Sequence, residues 1–182
     1  IMIWLIFLKN MSDILKAIGN TPIVKLKNIV PSGCGEIYVK LEAFNPTGSK
    51  KDRMALSMIL GAEKRGILKK GMTVVEYSGG STGAGLSFVC SLKGYNFRLV
   101  TADVFGKEKI DLMRSLGANP EIIKSSDGKI NKELITKMIK KANQISKEPN
   151  TFFTNQLNNT DVIEGFVPLG EEILDQLNGN ID

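Results

Sequence analysis

A lysine pair at the start of a predicted helix is the clearest candidate for chemistry in this sequence. Lys50 and Lys51 end a Pro/Gly-rich loop that begins at Asn45, between a strand-like run at 37–41 and a helix-like run from Met54. Helix N-termini favour anions over ammonium groups. A lysine fixed there is therefore a candidate for a lowered pKa and for Schiff-base chemistry. An exposed basic helix start after a turn is the alternative interpretation.

A glycine-rich loop at 78–83 follows the next predicted strand, at 73–77, and precedes an apolar helical pattern. Backbone N–H groups in such a turn form an anion cradle, and the hydroxyls of Ser78, Ser81 and Thr82 add donors. The glycine spacing does not match a dinucleotide fingerprint, and the Walker lysine is absent. The loop is therefore suited to a small anion such as a carboxylate, and a purely structural strand-to-helix turn is the alternative.

Together, the two loops resemble those of the cysteine synthase and cystathionine β-synthase family of pyridoxal-phosphate (PLP) enzymes, which have the tryptophan-synthase-like fold. The resemblance runs in order from about Met11 to Asp182. The segments that carry it are the N-terminal signature at 18–26, the lysine loop at 45–53, the loop at 78–83, the stretch at 105–118, and the Asn/Gln-rich segment at 155–159.

The resemblance implies roles for individual residues. It places the Schiff-base lysine at Lys51 rather than Lys50, and it places Ser81 where the family's asparagine contacts the cofactor ring. Gly79 stands where the family commonly has serine. The implied substrate-binding residues, which would hold a carboxylate, are Ser78, Gly79, Gly80, Ser81, Thr82 and Gln156.

The activity implied by the resemblance is PLP-dependent β-replacement on an O-activated serine, with sulfide as a nucleophile, to make cysteine. A related PLP lyase or dehydratase of the threonine synthase or deaminase type remains an alternative, although the Ile-Gly-Asn-Thr-Pro run at 18–22 favours the cysteine synthase side. A non-catalytic product of a truncated gene is the other alternative. The sequence has no histidine and only two, widely separated cysteines; we therefore expect no metal site and no histidine-based triad.

Composition is that of a globular enzyme, with 42% hydrophobic and 24% charged residues in 182. The formal charge of +5 comes from scattered lysines rather than a basic block, so we expect no nucleic-acid partner. No apolar run reaches the roughly 20 residues that span a bilayer. The two unclustered cysteines indicate a reducing, cytoplasmic location. The full-length protein is expected to form a homodimer.

Alternating strand and helix patterns predict an α/β fold built from parallel βαβ units, and the resemblance implies three-layer parallel-sheet domains. It assigns residues 46–145 to a small movable domain, and residues 11–45 and 146–182 to part of a large domain. We interpret the apolar run at 1–10 as a non-native leader, with a membrane-surface anchor as the alternative. Because the family continues into a second glycine-rich loop that binds the PLP phosphate, we expect this chain to be an N-terminal part that is inactive alone.

Overall fold

The computed structural model describes residues 13–181, so the interpretation of residues 1–10 concerns a segment outside it. A short 3-10 helix, Ile14–Ala17, leads into an antiparallel hairpin of two strands, β1 (Ile23–Lys25) and β2 (Tyr38–Lys40). A second 3-10 turn, Glu42–Phe44, connects this hairpin to the lysine loop.

The main body alternates helices and strands, as predicted. Its elements in chain order are α1 (Lys51–Lys64), β3 (Thr73–Tyr77), α2 (Ser81–Lys93), β4 (Asn96–Ala102), α3 (Lys107–Ser115), β5 (Ala118–Ile123), α4 (Lys132–Ile145), β6 (Thr151–Phe153) and α5 (Asp161–Gln176). Strands β3 to β6 form a parallel sheet in the order β5-β4-β3-β6. No helix of residues 13–181 is long and apolar enough to cross a membrane.

Alternating side chains of the sheet divide the core into two layers. Val74, Phe97 and Leu99 belong to a buried cluster with the inner faces of α1, α2 and α3. Val75 and Val100 point the other way and pack with the buried face of α4. Because successive residues of a strand face opposite sides of the sheet, neighbouring strand residues enter different clusters. The predicted α/β class and its three-layer organisation are confirmed.

The helices follow from spacing and termination signals. In α1, Ala55, Met58, Ile59 and Ala62 recur on one face, and each of them is fully buried. Helix α2 ends at Gly94, whose φ of 75° is a left-handed conformation that glycine adopts without a Cβ penalty. A glycine signal in the sequence thus sets the end of the helix that follows the glycine-rich loop.

Candidate active site

The lysine loop is closed onto the first turn of α1 by the carboxylate of Asp52. Asp52 is fully buried and accepts a 2.7 Å hydrogen bond from the backbone N–H of Thr47 and another from the Thr47 hydroxyl. Burial raises the pKa of Asp52, and the two bonds from Thr47 oppose that rise. The carboxylate also lies where the helix macrodipole favours negative charge. The protein itself therefore fixes the helix start that carries Lys51.

Adjacent lysines at this helix start have different surroundings. Lys50 is exposed, whereas Lys51 is half-buried. Their Nζ atoms lie 6.0 and 5.9 Å, respectively, from the ring centroid of Phe166 on α5. Burial lowers the pKa of Lys51, and the positive charge of Lys50 lowers it further. A lowered pKa increases the fraction of free amine, which is the form that reacts with an aldehyde. Lys51 is therefore the lysine of the pair whose surroundings favour the reactive free amine.

The turn between β3 and α2 leaves backbone donors available. Among the hydrogen bonds of residues 13–181, none is donated by the N–H groups of Gly79, Ser81 or Thr82. The Ser78 hydroxyl instead closes the turn, since its Oγ accepts bonds from the N–H groups of Gly80 at 3.2 Å and of Gly83 at 3.1 Å. These N–H groups, two in the first turn of α2 and one just before its N-cap, suit a bound carboxylate.

A buried carboxylate connects this turn to the segment before α5. Glu76, near the end of β3, is fully buried and accepts bonds from the Thr154 hydroxyl at 2.8 Å and from the Gln156 backbone N–H at 2.9 Å. Burial raises the pKa of Glu76, and these bonds oppose the rise. The Gln156 side-chain Nε2 in turn donates to the Tyr77 carbonyl at 3.0 Å. Gln156 is thereby held beside the residue that precedes Ser78.

Helices α1 and α2 approach closely at Gly85. A Cβ added to Gly85 would lie 3.1 Å from Oδ1 of Asp52 and 3.2 Å from the carbonyl oxygen of Lys51. A side chain there would press on the start of α1. The contact sets the backbone of Lys51 against the second turn of α2, whose first turn carries the free N–H groups. The glycine spacing in α2 is therefore explained in part by helix packing.

Buried charges attach α1 to the rest of the molecule. The Arg53 side chain is 3% exposed and contacts Glu42 and Glu172, each at 2.7 Å. Glu172 also accepts a 2.6 Å bond from Lys40. Burial alone would raise the pKa of Glu172, but the bonds from Arg53 and Lys40 lower it to about 2. This Arg53 cluster, consisting of Arg53, Glu42, Glu172 and Lys40, links β2, the turn after it, α1 and α5.

The structure thus brings together most of the residues singled out from the sequence. Gln156 and residues 78–82 are neighbours at the carboxyl end of β3, and the start of α1 packs against α2. Ser81 is exposed at the first position of α2. Asp52 and Glu76 were not recognised as positioning residues. For Glu76 a signal existed: it is an acidic residue in an otherwise apolar strand, directly before a loop.

Comparison with known proteins identifies the family to which the chain is similar. The family model described as pyridoxal-phosphate dependent enzyme matches residues 14–182. The chain is 38% identical over 174 residues to a cysteine synthase of Staphylococcus aureus strain Mu50. The matched region covers 94% of this chain and 54% of that protein. The chain spans about half the length of the curated relatives it matches.

Solved structures agree with the sequence comparisons. A hydrogen sulfide-producing enzyme from Fusobacterium nucleatum matches with a TM-score of 0.86 and 35% identity, over 96% of this chain and 55% of that chain. O-acetylserine sulfhydrylase isoform 3 from Entamoeba histolytica matches with a TM-score of 0.86 and 32% identity, over 96% of this chain and 52% of that chain.

Proposed function

Because the chain belongs to the family of pyridoxal-phosphate-dependent enzymes, we propose that its residues serve β-replacement on an O-activated serine to form cysteine. The similarity to a cysteine synthase and to an O-acetylserine sulfhydrylase supports this reaction class. The observation that carries the proposal is the set of N–H groups around the start of α2 that have no partner among residues 13–181. Gln156 bonds to the residue before this turn, and Gly85 of α2 packs against the start of α1.

The substrate carboxylate is the proposed occupant of these donors. The N–H groups of Gly79, Ser81 and Thr82 would donate to its oxygens, since they have no partner among residues 13–181. Gln156 adds a further donor, because its amide nitrogen carries two N–H groups and the Tyr77 carbonyl uses one. Hydrogen bonds to a charged group contribute about 1.5–3 kcal/mol each. Ser78 and Gly80 complete the proposed set in a different role, because the Gly80 N–H donates to Ser78 Oγ and this bond shapes the turn.

Lys51 is the proposed cofactor-binding and catalytic residue. When bound, pyridoxal phosphate supplies an electron sink for the negative charge that develops at the substrate Cα. The Lys51 amine would hold the cofactor covalently and, once released by the incoming amino acid, its Nζ would take the proton from Cα. Partial burial favours the unprotonated amine that both roles require. Ser81, at the first position of α2, would contact the cofactor ring.

A second candidate reaction is β-elimination with release of sulfide. The similarity to a hydrogen sulfide-producing enzyme favours it, and it would use the same carboxylate cradle and the same lysine. The two reactions differ after the β-substituent has left, when a nucleophile either adds or does not. Sulfide consumed with O-acetylserine supports β-replacement, whereas sulfide released from cysteine supports β-elimination.

Residues 46–145 are the proposed movable unit, which would close over the substrate and exclude water. Strand β6 pairs with β3 in the same sheet, so we extend the moving unit to Phe153. A homodimeric state and a cytoplasmic location complete the proposal.

Reductive labelling tests the assignment of the lysine. The protein expressed from its complete reading frame is incubated with pyridoxal phosphate, reduced with borohydride and mapped by peptide mass spectrometry. We expect the label on Lys51, its loss in Lys51→Ala and its retention in the matched variant Lys50→Ala. Label on Lys50, or label that persists in Lys51→Ala, would reject the assignment.

A further inference from the structure

The ring of Phe105 explains why residue 79 is a glycine. A Cβ built on Gly79 would lie 2.2 Å from Cε1 and 2.3 Å from Cδ1 and Cζ of Phe105. The φ of Gly79 is not in the left-handed region, so its backbone conformation does not demand glycine. Space alone therefore excludes a side chain at position 79: the aromatic ring of Phe105 already fills it.

Packing holds this ring in place. Phe105 lies in the turn between β4 and α3, where its N–H donates to the Ala102 carbonyl at 3.2 Å. The half-buried ring packs on the core cluster that includes Tyr77 and Val100. Tyr77 immediately precedes the glycine-rich turn. The ring of Phe105 thus packs against the sheet through this cluster, and its outer atoms lie beside Gly79.

The ring adjoins the donors proposed to grip the substrate carboxylate, since Gly79 supplies one of them. An amino acid is small: its carboxylate carbon and its β-carbon are two bonds apart, about 2.5 Å. A rigid group next to the carboxylate therefore also limits the space for the substituent on the β-carbon. An aromatic ring offers this substituent an apolar surface and no hydrogen bond of its own, which a serine at position 79 would offer.

On the basis of the proposed function, we propose that Phe105 is a specificity-determining residue, whose ring takes the place of a side chain at position 79 and restricts the substrate to serines with a small, uncharged O-acyl group. Larger acyl groups would collide with the ring. Charged activating groups would lose hydration against it without gaining a partner.

A double-mutant cycle tests the placement of the ring. Gly79→Ser should raise the KM for O-acetylserine by about tenfold or more and lower the Tm, because the new side chain collides with the ring. In a Phe105→Ala background the same change should alter KM by less than about threefold, since residues in contact are strongly non-additive. Equal effects of Gly79→Ser in both backgrounds would show that the ring does not fill this space.

Substrate ranking tests the role in specificity. Wild type, Phe105→Ala and Phe105→Leu are compared on O-acetyl-, O-propionyl- and O-butyrylserine. The measured quantity is kcat/KM for the butyryl ester divided by kcat/KM for the acetyl ester. We expect Phe105→Ala to raise this ratio by about tenfold and Phe105→Leu to raise it less. One methylene more or less in an apolar pocket changes substrate discrimination by about 10–200-fold. Phe88→Ala is the matched control, since Phe88 is another half-buried phenylalanine, on α2, and its loss should leave the ranking unchanged.

The possible outcomes separate the two proposals. Normal wild-type turnover with an unchanged ranking in Phe105→Ala rejects the role of Phe105 and leaves the reaction class intact. A ranking that changes equally in Phe88→Ala also rejects it, because the effect would then be general loosening. Absence of wild-type turnover with every ester rejects the proposed function and, with it, the specificity role. The Tm cycle between positions 79 and 105 still reports whether the ring fills the space.

Discussion

The lysine loop and the glycine-rich turn are held in opposite ways. In the lysine loop, buried side chains satisfy the backbone: Asp52 binds Thr47, and the Asn45 side chain accepts from the Gly19 N–H at 2.8 Å. In the glycine-rich turn, the Ser78 hydroxyl closes the chain, and three N–H groups find no acceptor within residues 13–181. The difference indicates that the protein itself satisfies the backbone of the first region, whereas the second keeps backbone donors available for the proposed ligand. Variants that remove the contacts closing the lysine loop should change stability, and variants that remove a donor from the glycine-rich turn should change binding.

The largest expected effect comes from removing the charge that anchors the lysine helix. Arg53→Ala leaves Glu42 and Glu172 without their main cation in a mostly buried setting. Breaking such a pair costs about 3–5 kcal/mol, which urea denaturation can measure. The matched control is Arg114→Ala, because the ion pair of Arg114 with Asp111 is exposed. Similar losses in the two variants would contradict the anchoring role.

Acid should weaken the same region. The pKa of Glu172 is lowered to about 2 in the folded protein, from an ordinary value near 4.3 when unfolded. A depressed carboxyl pKa stabilises the fold above the unfolded pKa, and that contribution, roughly 3 kcal/mol, is lost as the pH falls from about 4.3 to about 2. The slope of unfolding free energy against pH should be shallower in Glu172→Gln across this window. An unchanged slope would exclude Glu172 as its source.

In the glycine-rich turn, a substitution should weaken ligand binding rather than lower stability. Thr82→Ala in the cofactor-loaded protein should weaken amino-acid binding by about 1.5–3 kcal/mol, because it removes the hydroxyl that we propose as a further donor to the carboxylate. Cofactor affinity and Tm should change little. Thr136→Ala, at an exposed position in α4, serves as the control. A lower Tm with normal amino-acid affinity would instead indicate a purely structural turn.

The smallest expected effect concerns the influence of Lys50 on the pKa of Lys51. The charge of Lys50 contributes to the lowered pKa of Lys51, after burial. Lys50→Ala should therefore raise the pKa of Lys51 and move the acidic limb of the pH–rate profile to higher pH, while Lys50→Arg, which keeps the charge, should not. Identical pH–rate profiles for the wild type, Lys50→Ala and Lys50→Arg would show that the charge of Lys50 does not affect the pKa of Lys51.

Sequence reasoning recovered the elements whose signals are local. The strand–loop–helix order around 73–93 and the buried stripe of α1 follow from short-range patterns, and the sheet forms as predicted. Strand β5 (Ala118–Ile123) contains Pro120, a residue that argues against a strand in sequence reasoning. It is tolerated there since β5 is an edge strand, where a missing donor can face solvent. Strand β6 has only three residues and carries little periodic signal.

Contacts between distant segments could not be predicted in the same way. The sequence shows Glu76 and Thr154 but not that they meet, and nothing local indicates that Phe105 occupies the space beside Gly79. The Ser78 hydroxyl was expected to add a donor to the cradle. In the structure its oxygen closes the turn by accepting two N–H groups. Such pairings depend on the three-dimensional path of the chain, which short-range spacing does not encode.

The pairing of β6 with β3 has a consequence for how the protein acquires its site. The Glu76–Thr154 bond joins residues 78 positions apart, and the Gln156 N–H reaches Glu76 across 80. The βαβ unit from β3 to β4 closes over a far shorter stretch of chain. Because ordering a long loop costs more entropy, distant contacts form later and slow folding. We expect the sheet from β3 to β5 to form first, and Gln156 to reach the end of β3 only when β6 docks.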